Sequence, residues 1–224
     1  MSDIKILGIY YSNSRVCYPL KKASIDSVEK MLLNTKNAKI QYSVWDYIEW
    51  IPQERQQKSY FLHNGHMNIA LQIYRALLTN PEFDYVVFLE HDVLYHENYF
   101  NDIKNNLKEG YYGVSWRSFC GMNHNGFQKR IQHDQPMSML SMKYRNALYL
   151  IKNKIDYYTI HGHGCIEPDD KEGLLWVEGE ENVHVNMNET QYSHHLTSHY
   201  NIYSKTEIHP YHSYWGDYRQ FNIF

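Results

Sequence analysis

Glu90-His91-Asp92 closes the apolar run Val86-Val87-Phe88-Leu89. Two carboxylates one residue apart at the end of such a run are costly to hold unless a cation or hydrogen-bond donors offset their charge. A divalent ion is the simplest offset. In extended or turning backbone, Glu90 and Asp92 project to one side and His91 to the other. The pair could then hold one Mg²⁺ or Mn²⁺, ions that take oxygen ligands and share sites with phosphate oxygens. The competing reading is local: Glu90 closes a loop and Asp92 opens the next helix, where acids are favoured. Further along, His184 lies in Val183-His184-Val185-Asn186, and a second group is His194-His195-Leu196-Thr197-Ser198-His199-Tyr200. His195 and His199 are spaced to share a helix face, so a zinc site is formally possible, although no Glu completes a helical HExxH pair. Glu167-Pro168-Asp169-Asp170 follows the flexible-looking His161-Gly162-His163-Gly164; on its residues alone it reads as a solvated acidic turn.

The elements that would position these groups alternate. Residues 4–10 read as a buried strand, followed by the polar loop Tyr11-Ser12-Asn13-Ser14-Arg15. A helix over 24–33 presents Ile25, Val28 and Leu32 on one face and takes Asp26 and Glu29 as first-turn acids. A strand over 40–45 and a polar loop over 52–59 come next. Met67, Ala70, Leu71, Tyr74, Leu77 and Leu78 recur at helical spacing, and Asn80-Pro81 ends that helix. Residues 84–89 are too short and too apolar for anything but a strand covered on both faces. Tyr99, Phe100, Ile103 and Leu107 mark one more helix, and 112–116 another strand. Residues 117–136 show no period and read as an active-site loop or lid. Leu140, Tyr144, Ala147, Leu148 and Ile151 define a helix, and residues 156–160, 174–177 and 183–185 read as strands. This order implies an α/β fold, a single domain with a mainly parallel central sheet flanked by helices. Ligands bind such sheets at the carboxyl ends of their strands, where residues 11–15 and 90–92 both fall, so the two polar turns are expected to be neighbours.

Composition narrows the classes. A chain of 224 residues with 43% hydrophobic and 16% aromatic content is long enough for one well-buried core and is not a disordered or collagenous chain. A formal net charge of -3 supplies no global field for nucleic acid or anionic membrane. No apolar run approaches the length of a membrane span, so no membrane insertion is expected. The opening Met1-Ser2-Asp3-Ile4-Lys5 lacks the features of a secretory leader, and a cytoplasmic location is the default expectation. Cys17, Cys120 and Cys165 are odd in number and far apart, which fits reduced thiols rather than a disulfide framework or a cysteine zinc site. Tyr (22) and His (14) are both abundant; tyrosines stack on rings and donate to hydroxyls, which suits sugar or nucleoside ligands and ordinary packing alike.

A strand ending in Phe88-Leu89-Glu90-His91-Asp92-Val93-Leu94-Tyr95, after a helix that opens with Asn64-Gly65-His66-Met67-Asn68, resembles the nucleotide-sugar-binding half of a GT-A fold glycosyltransferase, a Rossmann-like architecture. Residues 64–100 carry most of the likeness and residues 4–15 add a compatible first strand and loop. The resemblance implies residues 1–115 as the nucleotide-sugar-binding half and 116–224 as the acceptor-binding and catalytic half of the same domain. It implies Asp92 as a metal ligand and Glu90 as a ribose or sugar contact, with Glu90 standing where the family most often has the shorter Asp. It further implies Tyr10 or Tyr11 stacking on the base, donors from Asn13 or Arg15, and Asn64 and His91 among the donor-binding residues. A late histidine would join the metal shell, His195 and His199 ahead of His184. Asp169 or Asp170 would serve as the base of an inverting enzyme, and Trp116, Arg117, Trp176 and the Tyr-rich tail as an acceptor platform.

The resulting expectation is a hexosyl- or pentosyltransferase dependent on Mn²⁺ or Mg²⁺. It would move a sugar from a nucleoside diphosphate, UDP as first choice, to a hydroxyl acceptor. That acceptor is a glycan or, as in small phage-type transferases, a hydroxymethylated base in DNA, for which Lys129-Arg130, Lys143 and Arg145 would form a basic stripe. The same residues also fit a His/Asp metal-dependent phosphoester hydrolase or a nucleotide-binding protein without catalysis. Stoichiometric zinc would favour the hydrolase, and loosely held Mn²⁺ or Mg²⁺ the transferase. The oligomeric state is left open by the sequence.

Overall fold

The computed structural model describes residues 4–12, 18–59, 66–91, 93–106, 113–115, 118–123, 126–131, 141–161, 183–184, 193–196, 211–212, 216–217 and 219. The chain opens with β1 (Ile6–Ser12), α1 (Tyr18–Leu33), β2 (Ala38–Val44), a 3₁₀ turn (Gln53–Arg55), β3 (Gln56–Lys58) and α2 (His66–Leu78). It continues with β4 (Tyr85–Glu90), β5 (Val93–Tyr95), α3 (Tyr99–Asn106), β6 (Gly113–Ser115), β7 (Ser118–Asn123), β8 (Gly126–Ile131), β9 (Ser141–Lys143) and α4 (Tyr144–His161). Short strands β10 (Val183–His184), β11 (Ser193–Leu196), β12 (Tyr211–His212) and β13 (Gly216–Asp217) complete the order. The central sheet has seven strands in the order β10-β6-β9-β4-β1-β2-β3. It is parallel except at β9, which runs antiparallel to both β4 and β6. A four-stranded sheet, β5-β11-β7-β8, and a ribbon of β12 and β13 accompany it.

The period-two alternation of β1 divides the core. Ile6 and Tyr10, with Val87 and Leu89 of β4 and Ile40, Tyr42 and Val44 of β2, meet Ile25, Val28 and Met31 of α1 and Tyr99, Phe100 and Ile103 of α3. Leu7, Ile9 and Tyr11, with Val86 and Phe88, meet Met67, Ala70, Ile73, Ala76 and Leu77 of α2 and Ala147, Leu150, Ile151 and Tyr158 of α4. The result is three layers, helices on both faces of a mainly parallel sheet, as the alternating sequence implies. On β2 the second face is polar. Lys39 donates to Asn80 Oδ1 (2.5 Å), Asn80 Nδ2 to Gln41 Oε1 (3.4 Å), and Ser43 Oγ to the Gln72 carbonyl (3.0 Å). At the outer edge Arg55 forks onto both Glu29 oxygens at 2.7 and 2.8 Å, and the Tyr42 hydroxyl also reaches Glu29. Burial, reinforced by that carboxylate, pushes the Tyr42 phenol well above its ordinary range.

Several elements depart from the sequence reading. β1 runs to Ser12 because it is paired on both sides, to Val44 of β2 and Glu90 of β4. α1 begins at Tyr18 rather than 24, with Pro19 in its first turn, where the missing N–H costs nothing. Asp26 is therefore no first-turn acid; it pairs with Lys22 at 2.6 Å one turn earlier. Residues 56–58, read as loop, add an edge strand parallel to β2. Within the span 117–136 read as a loop or lid, residues 118–123 and 126–131 instead form an antiparallel pair, β7 with β8, built on backbone ladders that side-chain periodicity does not report. Residues 156–160 are helical, not a strand: α4 continues to His161 because Lys154 and Tyr158 extend its buried stripe onto α2. The expected strand at 174–177 lies outside the described residues. Among the described residues no helix is long and apolar enough to cross a membrane.

Candidate functional site

β1 and β4 end side by side, and the register pairs Tyr11 with Glu90. Cross-strand partners share a face, so the Tyr11 hydroxyl donates to Glu90 Oε1 at 2.5 Å. The described parts of the two polar turns are thus neighbours, as expected. Glu90 is half-buried, an acid at the rim of a sheet whose preceding residues, Val86 to Leu89, are fully enclosed. Tyr10, one residue earlier, faces the opposite layer. Its ring lies 5.1 Å from that of Tyr42 and its hydroxyl 3.4 Å from Ser24 Oγ, with no exposed surface. Stacking a base on Tyr10 requires the ring to leave that cluster. Tyr11 is only 3% exposed, so what it presents to Glu90 is the phenol oxygen rather than a ring face.

The turn after Glu90 is held from α1 and β5. Ser24 Oγ donates to the Val93 carbonyl at 2.9 Å and lies 3.3 Å from the Glu90 carbonyl. The Glu90 N–H donates to the Tyr95 hydroxyl at 2.8 Å, and the Tyr95 N–H to Ser27 Oγ at 3.0 Å. Sequence reasoning missed these groups, since a serine in mid-helix has no signature of its own. It also missed Gln72 of α2, 1% exposed, whose Nε2 donates to the carbonyls of Ser12 and Ser59 at 3.2 Å. One buried amide thereby fixes the last described residues before both 13–17 and 60–65.

His91 sits in the turn, half-buried. The backbone of β11 pairs antiparallel with β5, His195 opposite Val93, the residue that follows Asp92. His184 pairs with Ser115 at the far edge of the central sheet, three strands from β4 and so about 14 Å away. Topology therefore brings His195, not His184, to the acidic turn. Asn13, Arg15, Asn64, Asp92, Asp169, Asp170 and His199 lie outside the described residues, as do Trp116, Arg117 and Trp176. Among the described residues no three His, Cys, Asp or Glu side chains cluster as a metal site. Of the basic residues, Lys143 pairs with Tyr85 at the amino end of β4, the opposite end of that strand from Glu90, about 16 Å away. Arg145 is two residues further on, so neither side chain's backbone sits beside the acidic turn.

Helices on both faces of a mainly parallel sheet, with Glu90 at the carboxyl end of β4, make a GT-A-like fold. Two of the solved structures that share it are glycosyltransferases. One is a glycosyltransferase involved in glycosylation of the major capsid of PBCV-1, with a TM-score of 0.52, 12% identity, and coverage of 80% of this chain and 81% of that one. The other is the catalytic domain of Drosophila beta1,4-galactosyltransferase 7 in complex with xylobiose, with a TM-score of 0.50, 11% identity, and coverage of 87% and 71%. No protein-family model and no curated protein matches the sequence.

Proposed function

We propose that this chain is a metal-dependent glycosyltransferase that moves a hexosyl or pentosyl group from a nucleoside diphosphate, UDP as first choice, to a hydroxyl of a glycan acceptor. One observation carries the reading: the Tyr11 hydroxyl and the Glu90 carboxylate share a hydrogen bond where β1 and β4 end together, at the crevice where parallel α/β sheets bind ligands. The extension from fold to activity is an analogy with the two glycosyltransferases above.

The hard oxygen donors of the acid-x-acid turn suit Mn²⁺ or Mg²⁺. Asp92 is the metal ligand in this reading, with His195 or His199 completing the shell. When bound, the ion supplies positive charge to the departing diphosphate. Tyr11 fixes the rotamer of Glu90, which contacts ribose or sugar hydroxyls. Asn13, Arg15, Asn64 and His91 supply the remaining donor contacts. The acceptor oxygen bonds to the anomeric carbon as the bond from that carbon to the diphosphate oxygen breaks. The electron pair leaves on the diphosphate, and Asp169 or Asp170 takes the acceptor proton.

The test is thermal stability against a panel of nucleoside diphosphates and their sugars, with and without Mn²⁺. A ligand at 100 times its dissociation constant adds about 2.7 kcal/mol, and a metal-dependent shift with one nucleotide identifies the donor. Asp92→Asn should abolish both the shift and sugar transfer while leaving the melting transition cooperative. No shift with any donor, or full transfer by the variant, overturns the reading.

A further inference from the structure

We infer that Ser24, Ser27 and Tyr95 are positioning residues that hold, from behind, the backbone of Glu90 and Val93 at the two ends of the acidic turn and so support metal binding there, an inference that rests on the transferase reading above. The chain leaves the central sheet at Glu90, paired with Tyr11, and enters a different sheet at Val93, paired with His195, so the backbone groups that face away from those ladders need other partners. Such groups must find other partners when buried. Here the Val93 carbonyl takes the Ser24 hydroxyl proton at 2.9 Å, with the Glu90 carbonyl 3.3 Å from the same oxygen. The Glu90 N–H uses the Tyr95 hydroxyl at 2.8 Å, and the Tyr95 N–H uses Ser27 Oγ at 3.0 Å.

The proton directions are mutually consistent. Tyr10 donates to Ser24 Oγ (3.4 Å), which leaves the Ser24 proton for the turn. Ser27 donates to the Ser24 carbonyl (2.7 Å), which leaves its lone pair for the Tyr95 N–H. Ser24 and Ser27 are three residues apart on α1 and so share a face. Ser24 has no exposed surface, Tyr95 is 1% exposed and Ser27 8% exposed. No substrate can touch Ser24 or Tyr95, so their influence on a bound ion runs through the backbone that carries the two acids. The arrangement also gives Tyr10 a role in the core that stacking would deny it.

The test compares the full chain with Tyr95→Phe, Ser24→Ala and, as a stability control, Ile25→Val, which thins the α1 core contact and leaves every hydroxyl that bonds to the turn in place. Two readouts are taken well below the melting temperature: amide hydrogen exchange at Glu90 and Tyr95, and the affinity for Mn²⁺ with UDP by electron paramagnetic resonance. Tyr95→Phe should speed exchange at Glu90 and Ser24→Ala should loosen the turn, each by about tenfold or more. Each should weaken Mn²⁺ binding about tenfold, in the range seen when groups behind metal ligands are removed. Ile25→Val should lower the melting temperature and leave Mn²⁺ affinity unchanged. If wild type binds Mn²⁺ and both hydroxyl variants bind it equally well, the inference fails and the transferase reading stands. If wild type binds no Mn²⁺ with or without UDP, the reading fails and the inference with it. Should Ser24→Ala not fold, Tyr95→Phe, which loses one oxygen, decides the matter alone.

Discussion

The Tyr11 hydroxyl donates to the half-buried Glu90 carboxylate, and removing that donor asks how much the bond matters. Tyr11→Phe keeps the ring that packs among Met67, Phe88 and Ala70 and deletes only the bond at 2.5 Å. Hydrogen bonds to charged groups contribute about 1.5–3 kcal/mol, so in the transferase reading donor affinity should fall roughly 10- to 100-fold while the far-ultraviolet spectrum stays unchanged. Calorimetric titration with the donor checks this, and equal affinity in the two proteins would leave Tyr11 as packing alone. Glu90 was legible in the sequence because an acid ending an apolar strand is anomalous. Tyr11 was legible as a neighbour of that acid, but its face was not, because assigning it needs a strand boundary correct to one residue. Ser24, Ser27 and Gln72 were not legible at all. Their work is to satisfy backbone groups of distant segments, and nothing local distinguishes them from solvated polar residues.

At the scale of elements, alternation carried the sheet and both helical layers, while boundaries followed tertiary pairing. α2 was readable because its stripe is continuous and Asn80, donating to the Ala76 carbonyl at 2.8 Å, ends it. α4 was read short because Tyr-Tyr-Thr-Ile favours strand locally and packing against α2 overrides that preference. Gly8 in β1 is a case where only the assembled layers explain a residue. A methyl group added there would sit 2.5 Å from Ile40 Cδ1, 2.8 Å from Phe100 Cζ and 2.9 Å from Leu89 Cδ1. Gly8→Ala should therefore destabilise by about 1–3 kcal/mol through overpacking, measured as a lower urea midpoint with an unchanged slope. The turn into α3 carries a pH term. His96 Nδ1 accepts the Asn98 N–H at 3.1 Å, and burial holds the imidazole below its ordinary value of 6.5. The unfolded chain then binds the proton more readily than the folded one, so stability is full above about pH 6.5 and declines as pH falls below it. His96→Asn retains a side-chain acceptor for that turn and removes the titration. Its melting temperature should vary less than that of wild type between pH 7 and 5, and an unchanged pH profile would assign the acid sensitivity elsewhere.

Over the whole molecule, the two larger sheets meet at the acidic turn: β4 of the central sheet delivers Glu90, and β5 of the second sheet departs with Val93. Because β11 pairs with β5, a segment about a hundred residues later in the chain is brought to the same place, with His195 opposite Val93. This long-range pairing was not legible, since a four-residue strand rich in histidine has neither period nor apolar content. It separates candidates that the sequence could rank only weakly. In the transferase reading, His195→Ala should weaken Mn²⁺ retention 10-fold or more, in line with loss of a ligand or its supporting group. His184→Ala should leave it unchanged, because His184 lies on β10, the edge strand three places from β4 in the central sheet. Competition with a fluorescent chelator measures both. The reverse ranking would mean that the metal shell is completed from the β10 edge and that β11 serves the second sheet only as a strand.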